Sequence, residues 1–256
     1  MPYLVKAMNQ LTNIKTRLES PIKLTDASLF KAPLLFMEPI AGATQNIGQA
    51  ASDKALWQAR TMSGVDKYTD AEAENLRKYI VERGGFMYML THGNTPIAMR
   101  SAQKVLREIL PEYPLRIVSN DHEIYRSFFS LGGPLRFPLR EDTCAAYSLH
   151  LGPYSELKGV FVGDRLAILV DTESMMHILD AAAQHPFTGG YANYNKLMDE
   201  LAPHAARQMI NIIVYAMTHG SISDYSHYVP TKTADSSEAL PTAPNSTMSK
   251  TAPVGR

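Results

Sequence analysis

Between Tyr68 and Met89 the chain reads Tyr-Thr-Asp-Ala-Glu-Ala-Glu-Asn-Leu-Arg-Lys-Tyr-Ile-Val-Glu-Arg-Gly-Gly-Phe-Met-Tyr-Met. A helix start, a helix stop and a strand follow one another with no spare residue between them. Thr69 stands three residues ahead of Glu72, the spacing at which the two can cap each other's backbone amides. Leu76, Tyr79 and Ile80 recur at helical spacing and form the buried stripe. Gly84 suits the left-handed position that ends a helix, and Gly85 lets the chain turn at once into the apolar run Phe86–Leu90. A strand without polar alternation is buried on both faces, so this αβ unit has to sit inside a layered sheet.

The remaining elements extend that pattern. Leu4, Val5, Met8 and Leu11 predict a helix over 3–12. Pro-Leu-Leu-Phe-Met at 33–37, closed by Pro39, predicts a short buried strand. The Gly-, Ala-, Ser- and Gln-rich stretch after it reads as an insertion loop, about 38–66, with a helical turn near Lys54–Arg60. Pro96 suits the first turn of a helix whose apolar face is Ile97, Val105, Leu106, Ile109 and Leu110. Leu115–Val118 is the next strand, and Glu123–Ser130 a short helix stopped by Gly132-Gly133-Pro134. Gly159 to Asp171 reads as two strands around Gly163-Asp164. Residues 172–203 read as loop and short helix, and Ala205–Met217 as a helix with Met209, Ile212, Ile213, Tyr215 and Ala216 inward. Strands alternating with helices predict an α/β fold: a mostly parallel sheet covered by helices on both faces, flavodoxin-like. Ligands of such sheets bind beyond the carboxyl ends of the strands, which points to loops 38–48, 91–95, 119–122 and 171–177.

A chain of 256 residues can build its own core without disulfides. Cys144 is the single cysteine, so no intrachain disulfide can form; this fits a reducing compartment and leaves the periplasm open. Lys plus Arg and Asp plus Glu number 25 each, so no net charge draws the chain to nucleic acid or to an anionic membrane. No run approaches the ~20 apolar residues of a membrane span. Met1–Glu19 has no apolar core of a signal peptide, so the expected location is cytoplasmic, or periplasmic if the true start lies upstream. The expected organisation is one domain over 1–229 and a disordered Ser/Thr/Pro/Ala-rich tail over 230–256, too poor in large apolar groups to offset ordering entropy.

The order of motifs resembles the bacterial family of unknown function numbered 4159. The segments that carry the resemblance are Leu24–Met37, Leu76-Arg-Lys-Tyr79, Gly84-Gly-Phe86, Asp121–Phe129, Gly163–Ala167 and Asn211–Thr218, together spanning about residues 4–219. The resemblance implies a fold like the class I glutamine amidotransferases, and it implies no activity. The chain departs from the family pattern in three places. An additional first strand with an Arg-x-x-Tyr-like segment is absent. Leu90-Thr91 stands where members often carry two acids. Ser174-Met175 replaces an Asp-Leu step. Many members are exported.

Thr91-His92-Gly93-Asn94 follows a strand and precedes a helix start. Gly93 would let backbone approach a ligand, helix amides attract anions, and His92 could serve as a base; the same residues also make an ordinary polar turn with Asn94 as cap. In Asn120-Asp121-His122, Asp121 could orient the His122 imidazole for acid–base work. Equally, Asp121 could cap the helix at Glu123, with His122 packed in its first turn. Thr143-Cys144-Ala145-Ala146 lacks the glycines of a nucleophile elbow and no His-x-Glu follows it, so Cys144 reads as structural. The histidines form no metal-binding helix pair, so no metal or cofactor is expected; a site assembled from His92, His122, Asp171, Glu173 and His177 is the one arrangement left open. Arg165 is either a binding residue or the ion-pair partner of Asp164 or Asp171. Tyr191 and Tyr194 either rim a cleft or close over the core.

Three functions follow as expectations. The first is a noncatalytic binding or assembly module, a component of a larger complex that docks on a protein partner or on itself through the sheet edge that the absent first strand leaves exposed. The second is a hydrolase-like enzyme with a site at the strand carboxyl ends built on His92, Asp121 and His122. A sugar- or peptide-binding domain is a third, resting on loop 189–195.

Overall fold

The computed structural model describes residues 2–37, 68–90, 96–134, 156–171, 175–176, 178–179 and 192–222, with backbone alone for 2–3, 96–98 and 192–201. The expected insertion loop and tail lie outside these residues. The elements are α1 (Pro2–Leu11), β1 (Leu34–Met37), α2 (Asp70–Arg77), β2 (Phe86–Leu90), α3 (Pro96–Ile109), β3 (Arg116–Ile117), β4 (Lys158–Val162), β5 (Arg165–Asp171) and α4 (Ala192–His219).

The αβ unit forms as its residues dictate. Thr69 accepts from the Glu72 amide, and the Glu72 carboxylate accepts from the Thr69 amide at 2.9 Å. These bonds hold the Glu72 carboxyl below its usual pKa. After Arg77 the helix widens into a π-turn, Lys78–Glu82. Gly84 takes φ of 69°, and the Gly85 amide reaches back to the Tyr79 carbonyl at 2.9 Å, one residue further than the six-to-one bond of a Schellman ending, as the wider π-turn allows.

The strand order is β1-β2-β5-β4-β3. β1 pairs with β2 and β2 with β5 in parallel, whereas β5–β4 and β4–β3 are antiparallel. The sheet is therefore mixed, which corrects the expectation of a mostly parallel one. The cause is the turn at Gly163, whose φ of 63° reverses the chain within two residues. β4 is thereby laid against β5, and β3 pairs beyond β4 instead of beside β2.

Helices cover both faces, as expected. Phe86 and Tyr88 of β2 face Met209, Ile212 and Tyr215 of α4. Met87 and Met89 face Leu76, Tyr79 and Ile80, together with Val105, Leu106 and Ile109 of α3. A bulge at Ala167 breaks the alternation on β5: Val160 pairs with Ile168 and Phe161 with Leu166, so Ala167 and Ile168 both fall on the α3 side. A third apolar cluster joins Ala7 and Met8 of α1 to Phe128, Phe129 and the far side of α4. This explains why α4 is apolar between Met209 and Ala216 on every side but that of Asn211: it is enclosed rather than half-solvated.

Two helix expectations are corrected. Glu123–Ser130 is helical for one 3-10 turn, Glu123–Tyr125, because the Phe128 and Phe129 amides turn to the Asn211 side chain instead of to helical carbonyls. The last helix begins at Ala192 rather than Ala205 and runs through Pro203. Proline removes one N–H from the ladder, and this helix continues past the gap. Among the described residues no helix is long and apolar enough to cross a membrane.

Candidate functional site

β1, β2 and β5 run the same way, so the sheet has a carboxyl end, at Met37, Leu90 and Asp171, and an amino end, at Leu34, Phe86 and Arg165. The two ends carry different chemistry.

At the carboxyl end stands Asp171, opposite Leu90 and 1 % exposed. Its Oδ1 accepts from the Met175 amide at 3.2 Å. His92, Gly93 and Asn94, which follow β2 in sequence, lie outside the described residues, as do Cys144, Glu173, His177 and Tyr191. Tyr194 falls in α4 where the backbone alone is described.

Arg165 opens β5 at the amino end. It donates from one terminal nitrogen to the Gly85 carbonyl at 3.1 Å and from the other to the Ile80 carbonyl at 2.7 Å. The expected pairing with Asp171 is corrected: six strand steps separate the two, roughly 20 Å. Arg165 instead satisfies carbonyls that the π-turn and the Gly84–Gly85 exit leave without helical partners. Burial pushes its pKa down, and Tyr215 and Tyr79 oppose that push. We expect Arg165→Met to lower stability by about 2 kcal/mol in urea titration, the scale of leaving buried carbonyls without donors. An unchanged midpoint would return Arg165 to the binding candidates.

His122 also lies toward this amino end. Its ring packs on Phe161 of β4 at 5.7 Å and on Tyr215 of α4 at 5.4 Å. The Tyr215 hydroxyl accepts from the amide of Leu166, the second residue of β5, at 3.0 Å. His122, not Asp121, caps the Glu123–Tyr125 turn: its Nδ1 accepts from the Ile124 amide at 3.2 Å. Asp121 is exposed, and its own amide donates to Ser119 Oγ at 3.4 Å. Burial lowers the His122 pKa and raises that of Tyr215. With its Nδ1 lone pair held by Ile124, His122 presents Nε2 as an N–H donor, so proton abstraction at Nδ1 would require breaking the cap.

The sequence reading missed two partners of this cluster. His219 stacks on Tyr215 at 4.1 Å, and its Nε2 meets the Glu123 carboxylate at 3.0 Å. The signal was the i, i+4 spacing of Tyr215 and His219 in the last turns of α4. Nothing in the sequence linked that pair to Glu123, which lies 96 residues away. Among the described residues no group of three or more His, Cys, Asp or Glu could hold a metal ion. An open cleft of about 460 Å³ lies between the end of the π-turn and the end of α4, lined by Phe30, Lys31, Glu82, Arg83, Ser221 and Ile222.

No curated protein matches the chain. One family model does, over residues 61–217, more than half of the chain. The match takes in the capped helix, the Gly84-Gly85 exit, the His122 turn and the hairpin, and it leaves the resembling Leu24–Met37 segment outside. The chain belongs to the family described as domain of unknown function DUF4159.

Proposed function

We propose that this chain is a noncatalytic α/β module, with a fold like the class I glutamine amidotransferases, that binds a protein partner as a component of a larger bacterial complex. The observation that carries the reading is the use made of two polar candidates. Arg165, through both terminal nitrogens, and His122, through Nδ1, bond to the protein's own backbone at Ile80, Gly85 and Ile124. Groups so engaged hold the fold and are not free to act on a substrate without local rearrangement. Docking through a sheet edge is supported by β3. It is one of the two outermost described strands, with β1, and exposes the apolar side chain of Ile117 to 57 %.

The test is a pull-down from the native cell with the full chain, set beside the chain lacking residues 231–256. A stoichiometric partner supports the module, and its loss on truncation assigns recruitment to the tail. A clean, partner-free protein, monomeric by light scattering at micromolar concentration, would overturn the reading.

A hydrolase-like site at the strand carboxyl ends has one observation in its favour, the buried Asp171 carboxylate one strand away from the end of β2. A partner-free protein whose melting midpoint rises with an added divalent metal would favour that alternative, because a ligand of the native state stabilises it by mass action.

A further inference from the structure

We propose that His122 is an acid-sensitive latch, which holds the 122–125 turn against α4 while its imidazole is neutral and releases the turn when it takes a proton. The inference stands apart from the assembly reading, since it needs no partner.

The geometry is explicit. Nδ1 of His122 accepts the Ile124 N–H, so the neutral ring carries its hydrogen on Nε2. An added proton has one place to go, Nδ1, where it would point at the Ile124 amide hydrogen. The acceptor becomes a donor and the cap is lost. No rotation keeps the bond, because both nitrogens of an imidazolium are donors.

The surroundings oppose the charged form. The ring is half-buried against Phe161 and Tyr215. The Arg116 guanidinium lies 4.6 Å from the Phe161 ring centroid, and Arg165 adds a cation beside Tyr215. Burial acts first to lower the His122 pKa; His219 of α4 and Arg126 of its own turn act the same way, and Glu123 alone opposes them. The Glu123–His219 contact, at 3.0 Å, ties the same turn to α4 and works against release.

The sign follows from linkage. The unfolded imidazole titrates near 6.5. The native one titrates lower, so the opened or unfolded chain binds more protons below that point. The latch contributes in full above about pH 6.5 and weakens as the pH falls from there through the depressed native value, by at most about tenfold in the opening equilibrium per pH unit.

The test is amide hydrogen exchange at Ile124 in the full-length protein between pH 7.5 and 5, corrected for intrinsic exchange. Protection should fall toward tenfold per unit below pH 6.5. In His122→Asn the side-chain oxygen can cap without titrating, and the fall should vanish. In His219→Gln, which leaves the cap intact, it should persist. Constant Ile124 protection across the range, or the same fall in His122→Asn, overturns the proposal. Should His122→Asn fail to fold, NMR titration of the wild-type His122 ring decides. A midpoint below 6.5 that coincides with the loss of Ile124 protection supports the latch. A midpoint at or above 6.5 sinks it.

Discussion

Asn211→Leu is expected to lower the unfolding free energy by about 4 kcal/mol. Asn211 is wholly buried on α4, and its side chain makes three bonds to one distant stretch of backbone. Oδ1 accepts from the Phe128 amide at 3.1 Å and from the Phe129 amide at 2.7 Å, and Nδ2 donates to the Phe129 carbonyl at 2.8 Å. Leucine has similar bulk and fills the space, so little cavity cost arises. What remains are two N–H groups and one carbonyl stranded among Ile210, Phe129 and their apolar neighbours. Each such group costs about 1–3 kcal/mol, and local relaxation keeps the total below the simple sum. Urea denaturation followed by circular dichroism measures the loss. A variant within about 1 kcal/mol of the parent would mean that Phe128 and Phe129 find other partners, and that Asn211 does not set the path of the 125–131 segment.

The second large effect is expected at Gly85. A methyl group there would lie 2.2 Å from Cζ of the Tyr79 ring and 2.3 Å from its Cε2. That ring cannot step aside cheaply: it is fully buried, and its hydroxyl donates to the Phe86 carbonyl at 3.1 Å. Burial drives the Tyr79 pKa upward, as expected of a phenol enclosed by the core. We expect Gly85→Ala to cost about 3 kcal/mol, at the upper end for overpacking. The cause can be isolated. In a Tyr79→Leu background the clashing ring atoms are gone, so the added cost of Gly85→Ala should fall below about 1 kcal/mol. A cycle showing no coupling between the two positions would place the strain elsewhere.

Local signals were legible where one short stretch held all the partners. Thr69 and Glu72 form their reciprocal cap, Gly84 adopts the left-handed ending, and the Gly163 turn joins β4 to β5, all within a few residues. The inward faces of α3 and α4 were equally readable, because Val105, Leu106, Ile109, Met209 and Ile212 keep the helical period. The short helix after Glu123 was misread because its amides are claimed by Asn211, a residue more than eighty positions away. The sheet was misread although the hairpin was seen. A turn specifies that two strands are antiparallel, and says nothing of which neighbour the pair will join.

The candidate site divides along the same line. The sequence by itself determined the αβ unit, the hairpin, the buried stripes and the presence of His122 and Arg165 in polar turns, since these depend on spacing and on the intrinsic preferences of neighbouring residues. The tertiary structure alone decided what the polar groups do. Only when β5 lies beside β2 can Arg165 reach the carbonyls of Ile80 and Gly85. Only when α4 packs across the sheet does Tyr215 meet the His122 ring and His219 reach Glu123. A side chain's role follows from its partner and its burial, and for Arg165 and for the Glu123–His219 pair the partner lies between 80 and 96 positions away in sequence. Contacts of that span carry no periodicity or local pattern. They exist only once the apolar faces have assembled the sheet between its two helical layers.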